Sequence, residues 1–188
     1  MAIMNLKKLV KHDHELSVRL MRSSPVGPIV IAAGSDGLAL LSILIEDDFP
    51  YITHRTAAAD SARIADMALS QLAEYFSGKR ADFTLPLDLK SATDFQREVL
   101  LETVRIPFGQ ARTYGEVAIN IGNPRAARAV GGALAHNPIG IIIPCHRVVA
   151  HDGRMHGFSS PHGIRTKAVL LKHEGVLIEG ERVLRAAV

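Results

Sequence analysis

The sequence predicts two domains of different class, an antiparallel α/β unit over residues 1–90 and a mainly α-helical unit over residues 91–188. Three observations carry this. Apolar residues alternate with a period of two in three short runs before residue 50, the spacing of half-buried strands. From Thr93 onward the apolar period becomes 3.6 and helix-capping pairs recur. Between the two regimes lies Leu85-Pro86-Leu87-Asp88-Leu89-Lys90-Ser91, which suits a linker.

In the first unit the runs are Leu16, Val18 and Leu20, then Ile29 and Ile31, then Leu41, Ile43 and Ile45. Ser24-Pro25-Val26-Gly27-Pro28 and Gly34-Ser35-Asp36-Gly37 supply turns between them, so an antiparallel meander is expected. From Asp60 to Phe76, Ile64, Met67, Ala68, Leu72, Tyr75 and Phe76 fall on one helical stripe suited to core packing. Gly78 stands where a C-cap ends such a helix.

In the second unit Thr93 and Gln96 form a capping box that opens a helix through about Val104. Thr113 and Glu116 form another, and Gly122 ends the short helix that follows. Asn123 as N-cap and Pro124 at the first helical position open a third helix to His136, where Asn137-Pro138 stops it. Two helices across the tight Gly122-Asn123 turn read as helix-turn-helix. A last helix covers about Ile164 to His173, and a short hairpin turns around Glu179-Gly180.

The third of these helices has two unlike faces. At 100° per residue, Ala127, Val130, Gly131 and Leu134 turn to the core, while Arg125, Arg128, Ala129, Gly132 and His136 lie opposite. Glycine inside a helix costs about 1 kcal/mol relative to alanine, so Gly131 and Gly132 need a reason. Tight packing on a neighbouring helix accounts for Gly131. Close approach of another surface, such as a nucleic-acid backbone, accounts for Gly132.

Composition narrows the function classes. The 188 residues have an ordinary apolar share, no low-complexity tract and a net charge of +3. Residues 1–92 carry ten Lys and Arg against eleven Asp and Glu, and residues 93–188 carry twelve against eight. Only Lys167 and Lys172 among those twelve are lysines, and arginine forks suit phosphate and base stacking better than ammonium groups do. On charge alone a normally solvated surface is the better explanation, since nucleic-acid binders carry a stronger basic bias. Met1 to Val18 carries Lys7, Lys8, Lys11 and Asp13 instead of the apolar core of a signal peptide, and no stretch approaches a membrane span. A single cysteine excludes an internal disulfide, so a reducing, cytoplasmic setting is expected, and no dedicated oligomer surface is evident. His12, His14, His151, His156 and His162 have no thiol partners, so no metal site is expected.

The cysteine sits in Ile142-Ile143-Pro144-Cys145-His146-Arg147-Val148, at the end of the apolar run Ile139 to Ile143. A buried thiol is inert because losing its proton in apolar surroundings is costly. An imidazole that accepts the proton leaves a nucleophilic thiolate. Adjacent side chains diverge, so a water relay between Cys145 and His146 is the expected route. Attack on an ester-like centre leaves a bond that water cleaves; attack on an alkyl carbon ends in a thioether.

Pro144 to Val148 does not stand alone. Phe95-Gln96, Ile106-Pro107-Phe108-Gly109, Thr113-Tyr114-Gly115-Glu116, Arg125 to Gly131 and Asn137-Pro138 precede it in a fixed order. This set resembles the O6-alkylguanine-DNA alkyltransferases (methylated-DNA–protein-cysteine methyltransferases) from about Phe95 to Glu174. The resemblance implies a ribonuclease H-like scaffold followed by a winged helix-turn-helix-like DNA-binding element. It implies suicide repair of O6-alkylguanine, and by extension O4-alkylthymine, by alkyl transfer from a flipped-out base in duplex DNA to Cys145, without a cofactor.

Residue roles follow from the same resemblance. His146 takes the thiol proton through water, and Glu174 orients His146. Tyr114 gives a proton to guanine N3 and crowds the target phosphate, while Arg128 fills the place of the extruded base. Arg125, Ala129 and Gly132 lie against the minor groove. Asn137 ties the helix end to the Pro144 turn, the carbonyls of Cys145 and Val148 read the guanine amino group, and Ser159 stands near O6. Arg147 is expected to brace the segment against the first domain.

One stretch departs from the family. Gly157-Phe158-Ser159-Ser160-Pro161-His162-Gly163 replaces a tyrosine and two glycines, keeping an aromatic wall in Phe158 but no hydroxyl on it. Gly140 adds room nearby, so the effect on large adducts stays open. Two other functions also remain open at this stage. One is a protein that binds the lesion without repairing it, although such relatives carry tryptophan where Cys145 stands. The other is a Cys-His acyl-transfer enzyme with an incidental helix-turn-helix.

Overall fold

A computed structural model describes residues 15–45 and 54–184. Lys7, Lys8, Lys11, His12, Asp13 and His14 lie outside the described residues. The chain divides into two compact units, residues 1–89 and 90–188.

The first unit is the expected antiparallel meander with one helix. Strands β1 (Ser17–Met21), β2 (Ile29–Ala33) and β3 (Leu38–Ile43) pair in the order β1-β2-β3. Helix α1 (Ala59–Phe76) packs on β1 and β2. The Ser17 and Ser61 hydroxyls meet at 2.8 Å, and Ala57 N donates to Ser17 Oγ at 2.9 Å, so the odd residues of β1 face α1. The even residues Val18 and Leu20 join Val30, Ala32, Leu16 and Leu44 in a separate cluster. The central strand β2 is therefore buried on both faces, not half-buried as its spacing suggested. Central position, more than period, decided its environment.

Helix α1 buries Ile64, Ala68, Leu72 and Tyr75, as its stripe requires, and Gly78 (φ 75°) ends it by donating to Tyr75 O. Gln71 also turns inward. It is satisfied by Thr84, whose N–H donates to Oε1 at 2.9 Å and whose Oγ1 accepts from Nε2 at 3.1 Å.

The expected linker is only partly free. Leu87 forms a parallel bridge with Leu38, because Leu38 N donates to Pro86 O and Asp88 N donates to Leu38 O. This brings backbone tightly over Gly37, where an added Cβ would lie 2.8 Å from both Pro86 O and Asp88 N. Gly37→Ala is expected to destabilise the first unit by about 2 kcal/mol, the usual cost of overpacking against backbone. Chemical denaturation of the variant checks this.

The second unit contains α2 (Asp94–Val104), α3 (Tyr114–Asn120), α4 (Ala127–Ala135) and α5 (Ile164–His173). Helices α2, α3 and α4 pack on one another. The Thr113–Glu116 capping box forms in both directions. The Thr93–Gln96 box is half formed: Thr93 Oγ1 accepts from Gln96 N, but the Gln96 amide reaches across to His136 O at 3.1 Å. A tertiary acceptor won over the local one.

Helix α4 starts three residues later than expected. Asn123 to Ala126 is instead a turn closed by Ala126 N donating to Asn123 O at 2.9 Å, with Pro124 in its interior. Proline fits the second position of such a turn as well as the first of a helix. A short parallel pair forms between β4 (Arg112–Thr113) and β5 (Val148–Val149). The hairpin β6 (Ile178–Glu179) and β7 (Arg182–Val183) forms where expected. No helix among the described residues is long and apolar enough to cross a membrane.

Candidate active site and nucleic-acid interface

The segment before the cysteine is wound by short-range backbone bonds. Ile142 N donates to Gly140 O at 2.8 Å, closing a γ-turn whose central residue, Ile141, has φ 69°. A β-branched residue in this basin is rare and costs about 1–3 kcal/mol. Cys145 N donates to Ile143 O at 2.8 Å around Pro144, whose φ −82° and ψ 61° suit the relaxed form of the same turn. Arg147 N then donates to Pro144 O and starts the 3₁₀ turn Cys145–Arg147.

One amide fixes this turn to the end of α4. Asn137 Nδ2 donates to Ile143 O at 2.9 Å and to Cys145 Sγ at 3.2 Å, while Asn137 Oδ1 accepts from Ile139 N at 3.0 Å. Behind the turn, Glu174 Oε1 lies 2.8 Å from His146 Nε2. A carboxylate only accepts, so Nε2 carries the hydrogen and, in the neutral ring, Nδ1 is the basic nitrogen. Nδ1 is buried and meets no protein partner.

Arg147 grips the same carboxylate in two places, Nε to Oε2 at 2.8 Å and Nη2 to Oε1 at 2.9 Å, and donates from Nη1 to Ile106 O at 2.6 Å. These three bonds all lie within the second unit, so the expected brace against the first domain is corrected. A planar fork satisfies two carboxylate oxygens at once, which an adjacent buried glutamate attracts more strongly than a surface does.

The charges around the sulfur oppose one another. Burial pushes the Cys145 thiol up, and the Asn137 hydrogen bond and the Lys167 charge pull it back only in part. Burial also lowers His146, against the hydrogen bond and charge of Glu174, with Arg147 and Lys167 lowering it further. Burial alone would raise Glu174, but His146 and Arg147 outweigh it and hold the carboxyl at about 2. The resting site is thus a thiol beside a neutral imidazole and an ionised carboxylate.

Lys167 was not singled out from the sequence. It is 1% exposed, donates from Nζ to Val148 O at 2.6 Å, and sits 6.0 Å from the Tyr114 ring centroid. Burial brings its ammonium down to about 8, against the raising effect of Cys145. The signal was present: Lys167, Leu170, Leu171 and Glu174 follow the i, i+3, i+4, i+7 spacing of one helix face, so a lysine there had to be buried.

Tyr114 begins α3 directly after β4, and β5 follows directly after the cysteine turn. Their parallel pairing, Arg112 with Val148 and Thr113 with Val149, sets the tyrosine beside the nucleophile. Burial first, and then Cys145, raises the Tyr114 hydroxyl, so it keeps its proton. The carbonyls expected to read a base are already partly used: Cys145 O accepts from Val148 N, and Val148 O from Lys167. Each retains a second lone pair.

Arg128, Ala129, Gly132 and His136 are all exposed, as the helical wheel required, and Arg125 is exposed in the turn before α4 instead of on the helix. The Tyr114 ring lies 3.8 Å from where a Gly131 Cβ would stand, whereas a Cβ at Gly132 would meet nothing within 4 Å. Packing explains the first glycine and leaves the second facing open space. Ser159 is exposed and spends its hydroxyl on Ala135 O at 2.8 Å; Phe158 is half-buried, and Gly140 lends its carbonyl to the γ-turn. Among the described residues no cluster of His, Cys, Asp or Glu is arranged to hold a metal.

An exposed helix face carrying Arg128 and the bare Gly132, ahead of a half-buried cysteine backed by a histidine–glutamate pair, suits a class of proteins that use a cysteine on a large polar substrate, and comparison with known proteins makes it specific. Residues 94–176 match the family described as 6-O-methylguanine DNA methyltransferase, DNA binding domain, and residues 19–89 match its ribonuclease-like domain. A methylated-DNA–protein-cysteine methyltransferase of Methanosarcina barkeri is 44% identical over 156 residues, covering 80% of this chain and 92% of the relative. One from Mycobacterium tuberculosis is 43% identical over 151 residues, covering 80% and 88%. A crystal structure of Mycobacterium tuberculosis OGT in complex with DNA is similar with a TM-score of 0.71 at 40% identity, covering 84% of this chain and 91% of that one. The chain belongs to the 6-O-methylguanine-DNA methyltransferase family.

The buried acid gives a stability test. Glu174 is held at about 2 against an ordinary 4.5, so its contribution is fully present above 4.5 and is lost as pH falls towards 2. At 1.36 kcal/mol per unit the loss is roughly 3 kcal/mol. His146, lowered below 6.5, adds a loss in the same direction as pH falls below that value. Denaturant titrations of the whole chain from pH 7 to pH 3 should show this decline, and Glu174→Gln should lower stability at pH 7 and flatten the segment below 4.5.

Proposed function

We propose that this chain repairs duplex DNA by moving the alkyl group of O6-alkylguanine onto Cys145 Sγ, once per molecule. The observation that carries the reading is the buried His146–Glu174 pair directly behind a cysteine whose sulfur is bonded by Asn137. Such a pair makes a proton acceptor out of His146 Nδ1, and a bridging water conveys the thiol proton to it.

The chemistry balances without an added reactant. The thiolate forms a bond to the alkyl carbon as the carbon–O6 bond breaks, and the electron pair passes into the guanine ring. Tyr114 delivers its hydroxyl proton to N3, which makes the base a neutral leaving group. The Lys167 ammonium favours the negative sulfur in this interval. The S-alkylcysteine has no activated bond, so water cannot regenerate the thiol, and no cofactor takes part.

The target base reaches Cys145 only when turned out of the stack, at a cost of a few kcal/mol. Docking in the minor groove is supported by the bare exposed face of α4, with Arg128 as the wedge into the vacated position and Arg125 beside it. Asn137 holds the sulfur in line, and Val148, Phe158, Ser159 and Gly140 surround the base and its alkyl group. The first unit acts as scaffold. The protein works as a monomer, inside the cell with the DNA, and O4-alkylthymine is a secondary substrate.

Duplex DNA carrying labelled O6-methylguanine tests the reading. Label should pass to protein up to one equivalent and stop, and Cys145→Ala should abolish the transfer. Turnover beyond one equivalent, or loss of the lesion with Cys145 unmodified in the mass spectrum, would overturn it. Catalytic ester hydrolysis would favour acyl transfer instead. Arg128→Ala should reduce repair of duplex DNA by tenfold or more, in line with the few kcal/mol of unstacking it helps to offset. It should leave the reaction with free O6-benzylguanine within about twofold. Equal losses in both assays would count against the wedge.

A further inference from the structure

His136 is exposed at the end of the DNA-facing side of α4 and has no role in the chemistry described so far. Its Nδ1 lies 2.9 Å from Gly132 O. A carbonyl oxygen only accepts, so Nδ1 carries the ring hydrogen, and the neutral imidazole presents Nε2 as a bare acceptor. The bond also fixes the ring in place. It spans four residues, so Arg128, Gly132 and His136 fall on one line along the helix, with open space at its centre where Gly132 has no side chain.

The fold does not need this ring for support. Gln96 Nε2 holds the helix end from behind through His136 O at 3.1 Å, and Ser159 Oγ does so through Ala135 O at 2.8 Å. In the minor groove, A·T pairs in either orientation show only acceptors, and guanine adds one donor, its exocyclic amino group. An outward acceptor therefore has one kind of base-edge partner there.

Resting on the duplex reading above, we propose that His136 Nε2 accepts a hydrogen bond from the amino group of a guanine flanking the lesion, which gives repair a dependence on sequence context. His136 lies eight positions beyond Arg128, about 12 Å at 1.5 Å per residue. That distance is three to four base steps at 3.4 Å each. The contacted pair lies at that separation from the extruded base.

Inosine lacks the amino group and tests the contact directly. Binding is measured at pH 8. The full chain with Cys145→Ser keeps the lesion intact. Single guanine-to-inosine replacements, paired with cytosine, are placed two to five pairs from the O6-methylguanine on either side. At a position three or four pairs away, inosine should weaken binding about fivefold, the worth of one hydrogen bond. His136→Ala and His136→Lys, which offer no acceptor, should bind both duplexes alike.

Three results would overturn the proposal. Inosine has no effect at any position, the discrimination survives in His136→Ala, or His136→Ala weakens every duplex equally with a shallower salt dependence. The last pattern would assign the ring to a phosphate. Methyl transfer by the unsubstituted chain is followed in parallel. Its absence would defeat the repair reading while leaving the binding comparison interpretable.

Discussion

The carboxylate of Glu174 joins two buried polar side chains of the second unit, His146 and Arg147. Its two oxygens receive His146 and both arms of the Arg147 fork, and Arg147 in turn holds Ile106 O. Charges this deeply enclosed persist only when each has a partner, and removing one member of such a set costs several kcal/mol. The same contacts that keep the site folded therefore decide its protonation. Burial lowers His146 against the pull of Glu174, while His146 and Arg147 together hold the carboxylate ionised.

Around that anchor, the reactive groups are placed by very short elements. A two-residue parallel pair brings the start of α3 alongside the end of the cysteine turn, which sets Tyr114 and Cys145 as neighbours although 31 positions of sequence separate them. Asn137 links α4 to the sulfur, and Ser159 links the following loop to α4. Helix α4, the cysteine turn and the loop thus share one helix end.

Much of this was legible in the sequence, for identifiable reasons. Strong periodicity gave the meander, α1 and α5, and capping pairs gave the starts of α2 and α3. The reading failed where a tertiary partner competed with a local one. Gln96 left its capping box for His136 O, Pro124 entered a turn instead of a helix, and Leu87 paired with Leu38 where a linker was expected. A strand of two residues has no period to detect, so β4 and its pairing with β5 could not be seen. The bond between His146 and Glu174 came from family likeness, but the Arg147 fork on the same carboxylate did not, because nothing in Pro-Cys-His-Arg states which way the guanidinium points. Lys167 was visible in principle, through its spacing on the helix face it shares with Leu170 and Leu171.

Ile141 shows how narrowly the approach to the sulfur is constrained. Its backbone torsion is one that glycine adopts freely and a branched side chain resists, yet it is 1% exposed and fills interior volume. Glycine there would relax the torsion, worth about 1–3 kcal/mol, but would empty a space whose loss costs a comparable or larger amount. Neither a smaller nor a more compliant residue improves both terms together. The position is therefore caught between conformational comfort and occupancy, and a search for more thermostable variants of this chain should find little to gain by diversifying it.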